Sequence, residues 1–394
     1  MPLFDLLLIA CGCLGHVAIW SALTNRMHGF VVARKRIWMG RLAICTLNTG
    51  IPVLWAASYI RHPQLISDPG SSWPATVSFV YWAACAFFAV RTVAAWWVQQ
   101  RPGRATTSPR IESNHTEVID LQHDLDRPLA RSTKAKLLAR VPRNEIFDLA
   151  TNVKTIRLRR LPSALDGLTI THLSDLHISK HMEPAFYELI VERANQFGSD
   201  LVLITGDLID GAQQIDLTVR VLGQLQANLG VYYIFGNHEI RLATADIATL
   251  DRKLEHAGLI HLVGSWCQID VCDEPVILAG NSLPWYGLAP DMDGCSAEDP
   301  PGGPLRILLS HSPDQINWAR THQFDLMLAG HTHGGQVRFP LVGPILCPSR
   351  YGGKYAAGVF DLPPTLLHVV RGVSGVTPLR FHCRPELTQL VLRM

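Results

Sequence analysis

"DLVLITGDLID", Asp200–Asp210, decides how this chain is read. Its run of Leu, Val and Ile is too short for a helix and does not alternate with polar residues. It stops at Gly206-Asp207. A short apolar run of this kind reads as a strand buried on both faces, as in a parallel sheet. The same design recurs in "LTITHLSDLHIS" (168–179), "GVYYIFGNHE" (230–239), "LRILLSHSPD" (305–314) and "FDLMLAGHTHGG" (324–335). Helical patterns lie between the early runs: "AFYELIVERANQF", "TVRVLGQLQANL" and "TADIATLDRKLEHAG", the last closed by a Gly stop signal. Strand and helix therefore alternate, which predicts an α/β domain. From Ile260 to Met394 strands outnumber helices. Asn281–Pro304, rich in Pro, Gly and acid, reads as an excursion over the site.

Each apolar run is followed at once by metal-type donors. They are Asp175 and His177, then Asp207 and Asp210, then Asn237 and His238, then His311, then His331 and His333. The carboxyl ends of strands are where α/β sheets build their sites. Oxygen and imidazole donors without thiolate suit Mn, Fe or Zn. On extended backbone, residues i and i+2 point the same way. Asp175 with His177, and His331 with His333, are thus expected to face one centre. Any one of these motifs alone reads as a turn or a hydrogen-bonded histidine. Five of them, in this order after five strands, point to a metal site.

The ordered set D-x-H, G-D-x-x-D, G-N-H-E, H and G-H-x-H resembles the calcineurin-like metallophosphoesterases over Leu168–Met394. The lead-in "LPSALDGLTITHLSDLHIS" and the tail "RGVSGVTPLRFHCRPELTQLVL" further resemble the membrane-associated, YkuE/YaeI-like phosphodiesterase branch. The resemblance implies a four-layer αββα sandwich around two divalent metal ions. Asp175, His177 and His333 would hold the first ion, and Asn237, His311 and His331 the second. Asp207 would bridge them, and His238 would protonate the leaving-group oxygen. Asp210 and Glu239 would orient ligands.

The first hundred residues differ in kind. The chain is 48% hydrophobic and 17% charged, and the apolar excess gathers here. Leu3–Leu23, Leu42–Ile60 and Thr76–Val98 each approach the roughly 20 residues that cross a bilayer. Three transmembrane helices are expected over residues 1–98. Arg91 is the one charge in the third segment, where an end position would let it snorkel. Arg26, Arg34, Lys35, Arg36 and Arg41 precede the second segment, and Arg101, Arg104 and Arg110 follow the third. The positive-inside rule then places the catalytic part in the cytoplasm of a multi-pass protein of the cell membrane. Residues 99–143 read as a linker. Within it, "STKAKLLARVPR" reads as a lead-in helix or a basic element lying on lipid. The catalytic domain is expected over 144–394. The 9 cysteines show no CxxC pair, which fits a reducing compartment.

Net charge is +2, so no basic field argues for nucleic acid. An anchored phosphoesterase suggests a substrate near the bilayer. Some members of the resembled branch cleave the pyrophosphate of UDP-2,3-diacylglucosamine, a lipid precursor. The alternatives are a broad phosphodiesterase or phosphatase on soluble substrates, and a membrane sensor that binds metal or lipid without turnover.

Overall fold

The computed structural model describes residues 3–27, 34–61, 73–99, 108–123, 125, 128–293, 295, 303–340 and 342–394. Two compact units divide the chain: Met1–Ala105 with Arg350–Gly352, and Thr106–Ser349 with Gly353–Met394.

The first unit holds helices α1 (Leu3–Met27), α2 (Arg34–Arg61) and α3 (Trp73–Gln99). Among the described residues, one stretch is long and apolar enough to cross a membrane, the 22 residues Trp73–Ala94 of α3. Leu42–Ser58 of α2 is apolar but shorter. The interior here holds Trp82, Cys85 and Ala89, yet the outer faces are also apolar. Leu14, Val53, Leu54, Val80, Phe87 and Val90 face outward, whereas His16 is buried. His16 joins the helices, with Nδ1 at 2.5 Å from the Tyr81 hydroxyl and Nε2 at 2.9 Å from the Asn48 carbonyl. Gly15 lets α1 press on α3, because a Cβ there would strike the Cys85 carbonyl.

The second unit opens with β1 (Ile111–Asp120), α4 (Thr133–Ala139), β2 (Asp148–Arg157) and β3 (Thr169–Leu173). Then come α5 (Pro184–Gln196), β4 (Leu201–Thr205), α6 (Ile215–Leu222), β5 (Val231–Ile234), α7 (Thr244–His256) and β6 (Leu259–His261). Next are β7 (Trp266–Val271), β8 (Glu274–Asn281), β9 (Leu305–Ser310), α8 (Ile316–Thr321) and β10 (Leu326–Ala329). A small hairpin, β11 (Arg338–Phe339) and β12 (Gly343–Pro344), precedes β13 (Gly358–Leu362), β14 (Thr365–Val369) and β15 (Glu386–Arg393).

These strands make two mixed sheets, ordered β1-β2-β15-β3-β4-β5-β6 and β13-β14-β10-β9-β8-β7. In the first, β3 to β6 run parallel, and β15 inserts between β2 and β3, antiparallel to β3. Strand β4 shows why the apolar runs do not alternate. Leu201 and Leu203 enter the core between the two sheets, while Val202 and Ile204 enter the core under α5, α6 and α7. Helix α5 starts at Pro184, whose missing N–H is no loss in a first turn. It buries Phe186, Tyr187, Ile190, Val191 and Ala194, a stripe at helical spacing. The resulting α/β architecture with mixed sheets leaves the ends of β3, β4, β5, β9 and β10 to build the site.

Part of the segment read as a linker is ordered. Residues 111–120 form β1, paired antiparallel to β2 from Ile111↔Ile156 to Asp120↔Asp148. Most of its side chains are exposed, so no apolar alternation marks it. Backbone bonds to β2 define the strand. Residues 100–107 of the expected linker, Arg101 and Arg104 among them, lie outside the described residues, as do 294 and 296–302 of the expected excursion.

Candidate metal centre

The donors from the five strand ends converge. Asp175, His177, Asp207 and His333 present ligand atoms within 4.8 Å of one another, and so do Asp207, His311 and His331. Asp207 belongs to both groups, and its two oxygens divide between them. Oδ2 lies 3.5 Å from His177 Nε2 and Oδ1 lies 3.3 Å from His311 Nε2. His333 Nε2 stands 3.2 Å from His177 Nε2 and 3.4 Å from Asp175 Oδ1. On the other side, His311 Nε2 is 3.1 Å from both His331 Nδ1 and Asn237 Oδ1.

These distances test whether cations fit. Two imidazole nitrogens facing each other near 3 Å either share one proton or set lone pair against lone pair. Donors each about 2.0–2.2 Å from one cation are separated by about this distance. Among the described residues His333 Nδ1 is buried and has no hydrogen-bond partner, so none of them fixes that ring through this nitrogen. Hard carboxylate, amide and imidazole donors suit divalent cations of the Mn, Fe and Zn type.

Backbone geometry supplies the convergence, and it is not the extended geometry inferred from spacing. Asp175, His177, Asp207, His331 and His333 all have positive φ, between 46° and 67°. Each left-handed non-glycine residue costs roughly 1–2 kcal/mol. Such strain gathers at functional sites. Asp175 and His177 fall in one donor group, whereas His331 and His333 fall in different ones, and both pairs are placed by tight left-handed turns. Gly330 makes room for one of them. A Cβ there would collide with Ser174 Oγ and Asp175 Oδ2.

A second layer of bonds orients the donors. His177 Nδ1 is 2.9 Å from Asp210 Oδ1, which also receives a close hydrogen bond from His238 Nδ1. His311 Nδ1 donates to the Thr205 carbonyl at 2.7 Å, which turns its Nε2 inward. Asp175 accepts the His331 amide at 3.0 Å and the Ser174 hydroxyl at 2.7 Å. Buried Glu239 accepts the amides of Leu208 (2.6 Å), Ile209 (3.2 Å) and Gly236 (2.7 Å), tying two of the loops together. Burial and the nearby Asp207 push its carboxyl up to about 7. Burial lowers the His177 and His311 imidazoles, but Asp210 and Asp207 override it and bring each to about 9. Burial pulls His238 below its ordinary value, against Asp207 and Asp210.

The chain's tail also builds the site. The amides of Val373 and Ser374 donate to the carbonyls of Ser174 and Asp175, at 3.2 and 3.0 Å. Buried Arg380 donates to the carbonyls of His333, Arg371 and Gly372. Trp285 lies beside the second donor group, its ring 4.6 Å from His331 and 5.3 Å from His311. Neither residue was singled out from sequence. Trp285 had a signal, as an aromatic residue inside the expected excursion. An arginine whose partners are all backbone carbonyls has none.

Two donor groups sharing Asp207 at the ends of strands in a mixed α/β fold fit the class of metal-dependent phosphoester hydrolases. The calcineurin-like phosphoesterase profile matches residues 168–335, and the chain belongs to that family. It is 31% identical over 259 residues to metallophosphoesterase YkuE of Bacillus subtilis, covering 62% of this chain and 86% of that one. It is 31% identical over 225 residues to phosphodiesterase YaeI of Escherichia coli, covering 57% and 81%. A transmembrane protein with a metallophosphoesterase domain from Danio rerio is 30% identical over 260 residues, covering 60% of this chain and 56% of its own.

Proposed function

We propose that this chain is a membrane-anchored phosphodiesterase with two metal ions, acting on a phosphodiester or pyrophosphate bond of a lipid precursor. One observation carries the metal reading: the two oxygens of Asp207 serve separate donor groups, His177 with His333 and His311 with His331. Asp175, His177 and His333 would hold the first ion, Asn237, His311 and His331 would hold the second, and Asp207 would serve both. When bound, divalent cations supply Lewis acidity toward phosphoryl oxygens and acidify water to near neutrality. Asp210 fixes His177 through Nδ1, which leaves Nε2 turned toward His333, where it would serve the first ion. His238 Nε2, 3.9 Å from Asp207 Oδ2, stands at the rim of the site and delivers a proton to the departing oxygen. Burial makes the protonated ring a stronger acid, and Asp210 holds it in orientation.

The membrane reading rests on the first unit. Three successive helices with apolar outer faces and a buried, hydrogen-bonded His16 fit a lipid-facing bundle better than a water-facing one. The positive-inside rule supports three spans with the catalytic part in the cytoplasm, and Trp73–Ala94 has the length and hydropathy of one of them. Such a placement favours a substrate at the inner leaflet, UDP-2,3-diacylglucosamine being the leading candidate. The test uses detergent-purified full-length protein loaded with Mn. Metal content is measured, and hydrolysis of UDP-2,3-diacylglucosamine is followed by product mass beside a panel of soluble phosphodiesters. Two metals per chain and preferential cleavage of the lipid are expected. Faster turnover of soluble esters would replace the lipid assignment with a broad phosphodiesterase. Absence of all hydrolysis would leave a metal- or lipid-binding sensor.

A further inference from the structure

Away from the metal donors, the edge where β1 and β2 face β13 encloses a cavity of about 280 Å³. Asn114 and Thr116 of β1, and Asn152 and Lys154 of β2, line it as cross-strand partners, Asn114↔Lys154 and Thr116↔Asn152. Residues two apart share a face, so these four project together toward the second sheet. Deeper between the sheets the same space is filled by Ile, Leu and Val. Here polar residues replace them, with Val359 as an apolar wall.

The floor is a buried ionic cluster. Lys154 Nζ contacts Glu386 Oε1 at 2.7 Å and His368 Nε2 at 3.2 Å. Arg371 Nε contacts Glu386 Oε2 at 2.8 Å, and Asn152 donates to Oε1 at 2.8 Å. Two cations therefore meet one carboxylate, a net charge of one positive. Burial acts to raise the Glu386 carboxyl, but Arg371 and Lys154 override it and keep it ionised. Donors are left over. An ammonium carries three N–H groups and a guanidinium five. Lys154 uses two, and Arg371 uses only Nε of its side chain among the described residues. Burying such a cluster is costly and seldom the most stable way to fill an interior. A surplus positive charge with spare planar donors, opening on a cavity near the lower limit of small-molecule sites, is what an oxyanion group needs.

We propose that this cavity binds a small organic anion, with its carboxylate or phosphate on Lys154 and Arg371 and its polar body on Asn114 and Thr116. The site includes none of the metal donors, although Arg371 adjoins their loops, and it does not depend on the reading of that centre. The test is calorimetric titration of Mn-loaded, full-length protein in detergent with succinate and with methylphosphonate, glycerol serving as the uncharged control. Whichever probe binds identifies the group, carboxylate or phosphonate. Beyond any binding at the metal centre, one site per chain is expected, unchanged in His331→Ala and weakened at least tenfold in Lys154→Met and in Asn114→Trp. The second variant fills the cavity from an exposed position and decides the matter alone if Lys154→Met does not fold. The proposal is overturned if neither probe binds, if Asn114→Trp binds as the parent does, or if binding disappears in His331→Ala.

Discussion

Asp210 is the residue at which the proposed roles can be separated most sharply. One oxygen, Oδ1, serves two histidines. It fixes His177, a donor to the first ion, at 2.9 Å, and it fixes His238, the proposed proton donor. Asp210→Ala removes both supports at once. Loss of the support behind a metal-binding histidine costs about 10- to 100-fold in metal affinity or activity. That corresponds to about 1.4–2.7 kcal/mol at 1.36 kcal/mol per decade. The charge-assisted bond to His238 adds about 1.5–3 kcal/mol. Together, Asp210→Ala should lower turnover by about 10²–10⁴-fold, with the metal-dependent part recovered at high Mn. His238→Ala should lose about 10²–10⁴-fold through the proton transfer alone and keep its metal. In the double variant the His238 contribution of Asp210 has nothing left to act on. It should therefore fall only about 10- to 100-fold below His238→Ala, not by the product of the two single losses. The assay is hydrolysis of an aryl phosphodiester across a Mn titration for the parent and three variants. Fully multiplicative losses, or Asp210→Ala with unaltered Mn dependence, would refute a shared anchor.

His238→Ala should lose more activity with phenyl than with p-nitrophenyl leaving groups, because the less acidic phenol needs the proton more. Equal losses, measured as kcat for the two esters, would remove His238 from proton delivery. Asp207→Ala should lose both metals while His238→Ala keeps both, read by elemental analysis of purified protein. Gly330→Ala pushes a methyl into Ser174 and Asp175. It should abolish metal binding, which would show as a metal-to-protein ratio near zero in protein that retains its circular dichroism. Acid stability should reveal the pair His172 and His368, whose Nδ1 atoms lie 3.0 Å apart in the core. Burial lowers His172 to about 3 despite Glu386, and burial and then Lys154 hold His368 well below its usual value. Both stay neutral when folded, while the unfolded chain takes up their protons below about pH 6.5. Stability is therefore retained above pH 6.5 and lost below it, with a slope of about 2.7 kcal/mol per pH unit for two such groups. His172→Asn should lower the slope by about 1.4 kcal/mol per pH unit in unfolding measured between pH 6.5 and 5, and an unchanged slope would contradict the assignment.

The strands that carry the donors were legible because each is buried on both faces, as Leu201–Thr205 is, and that burial demands an unbroken apolar run. Helices α5 and α7 were legible from their one-sided stripes. Strand β1 was not, since "IESNHTEVID" is held by backbone bonds to β2 and buries little. The donors could be picked out because five such motifs follow five strands in order, whereas any one alone reads as a turn. Their left-handed backbone could not, because spacing reports distance along the chain and not the sign of φ. The Lys154, Arg371 and Glu386 cluster draws on three distant stretches of chain, none of which carries a motif. In the first unit, apolar length alone does not distinguish a span from a buried helix. The apolar outer faces, with Leu14, Val53, Val80 and Phe87 exposed, carry more weight there.

Strand β15 has a consequence for how the molecule comes to exist. It separates β2 from β3 in the first sheet, yet more than two hundred residues intervene between Arg157 and Glu386. During synthesis the β1-β2 hairpin and the β3-to-β6 block emerge early and have no shared edge until β15 slots in. Closing so long a loop is slow, and both halves wait with open edges that invite wrong pairing. Conditions or chaperones that protect those edges during translation should govern yield more than the stability of the finished enzyme does.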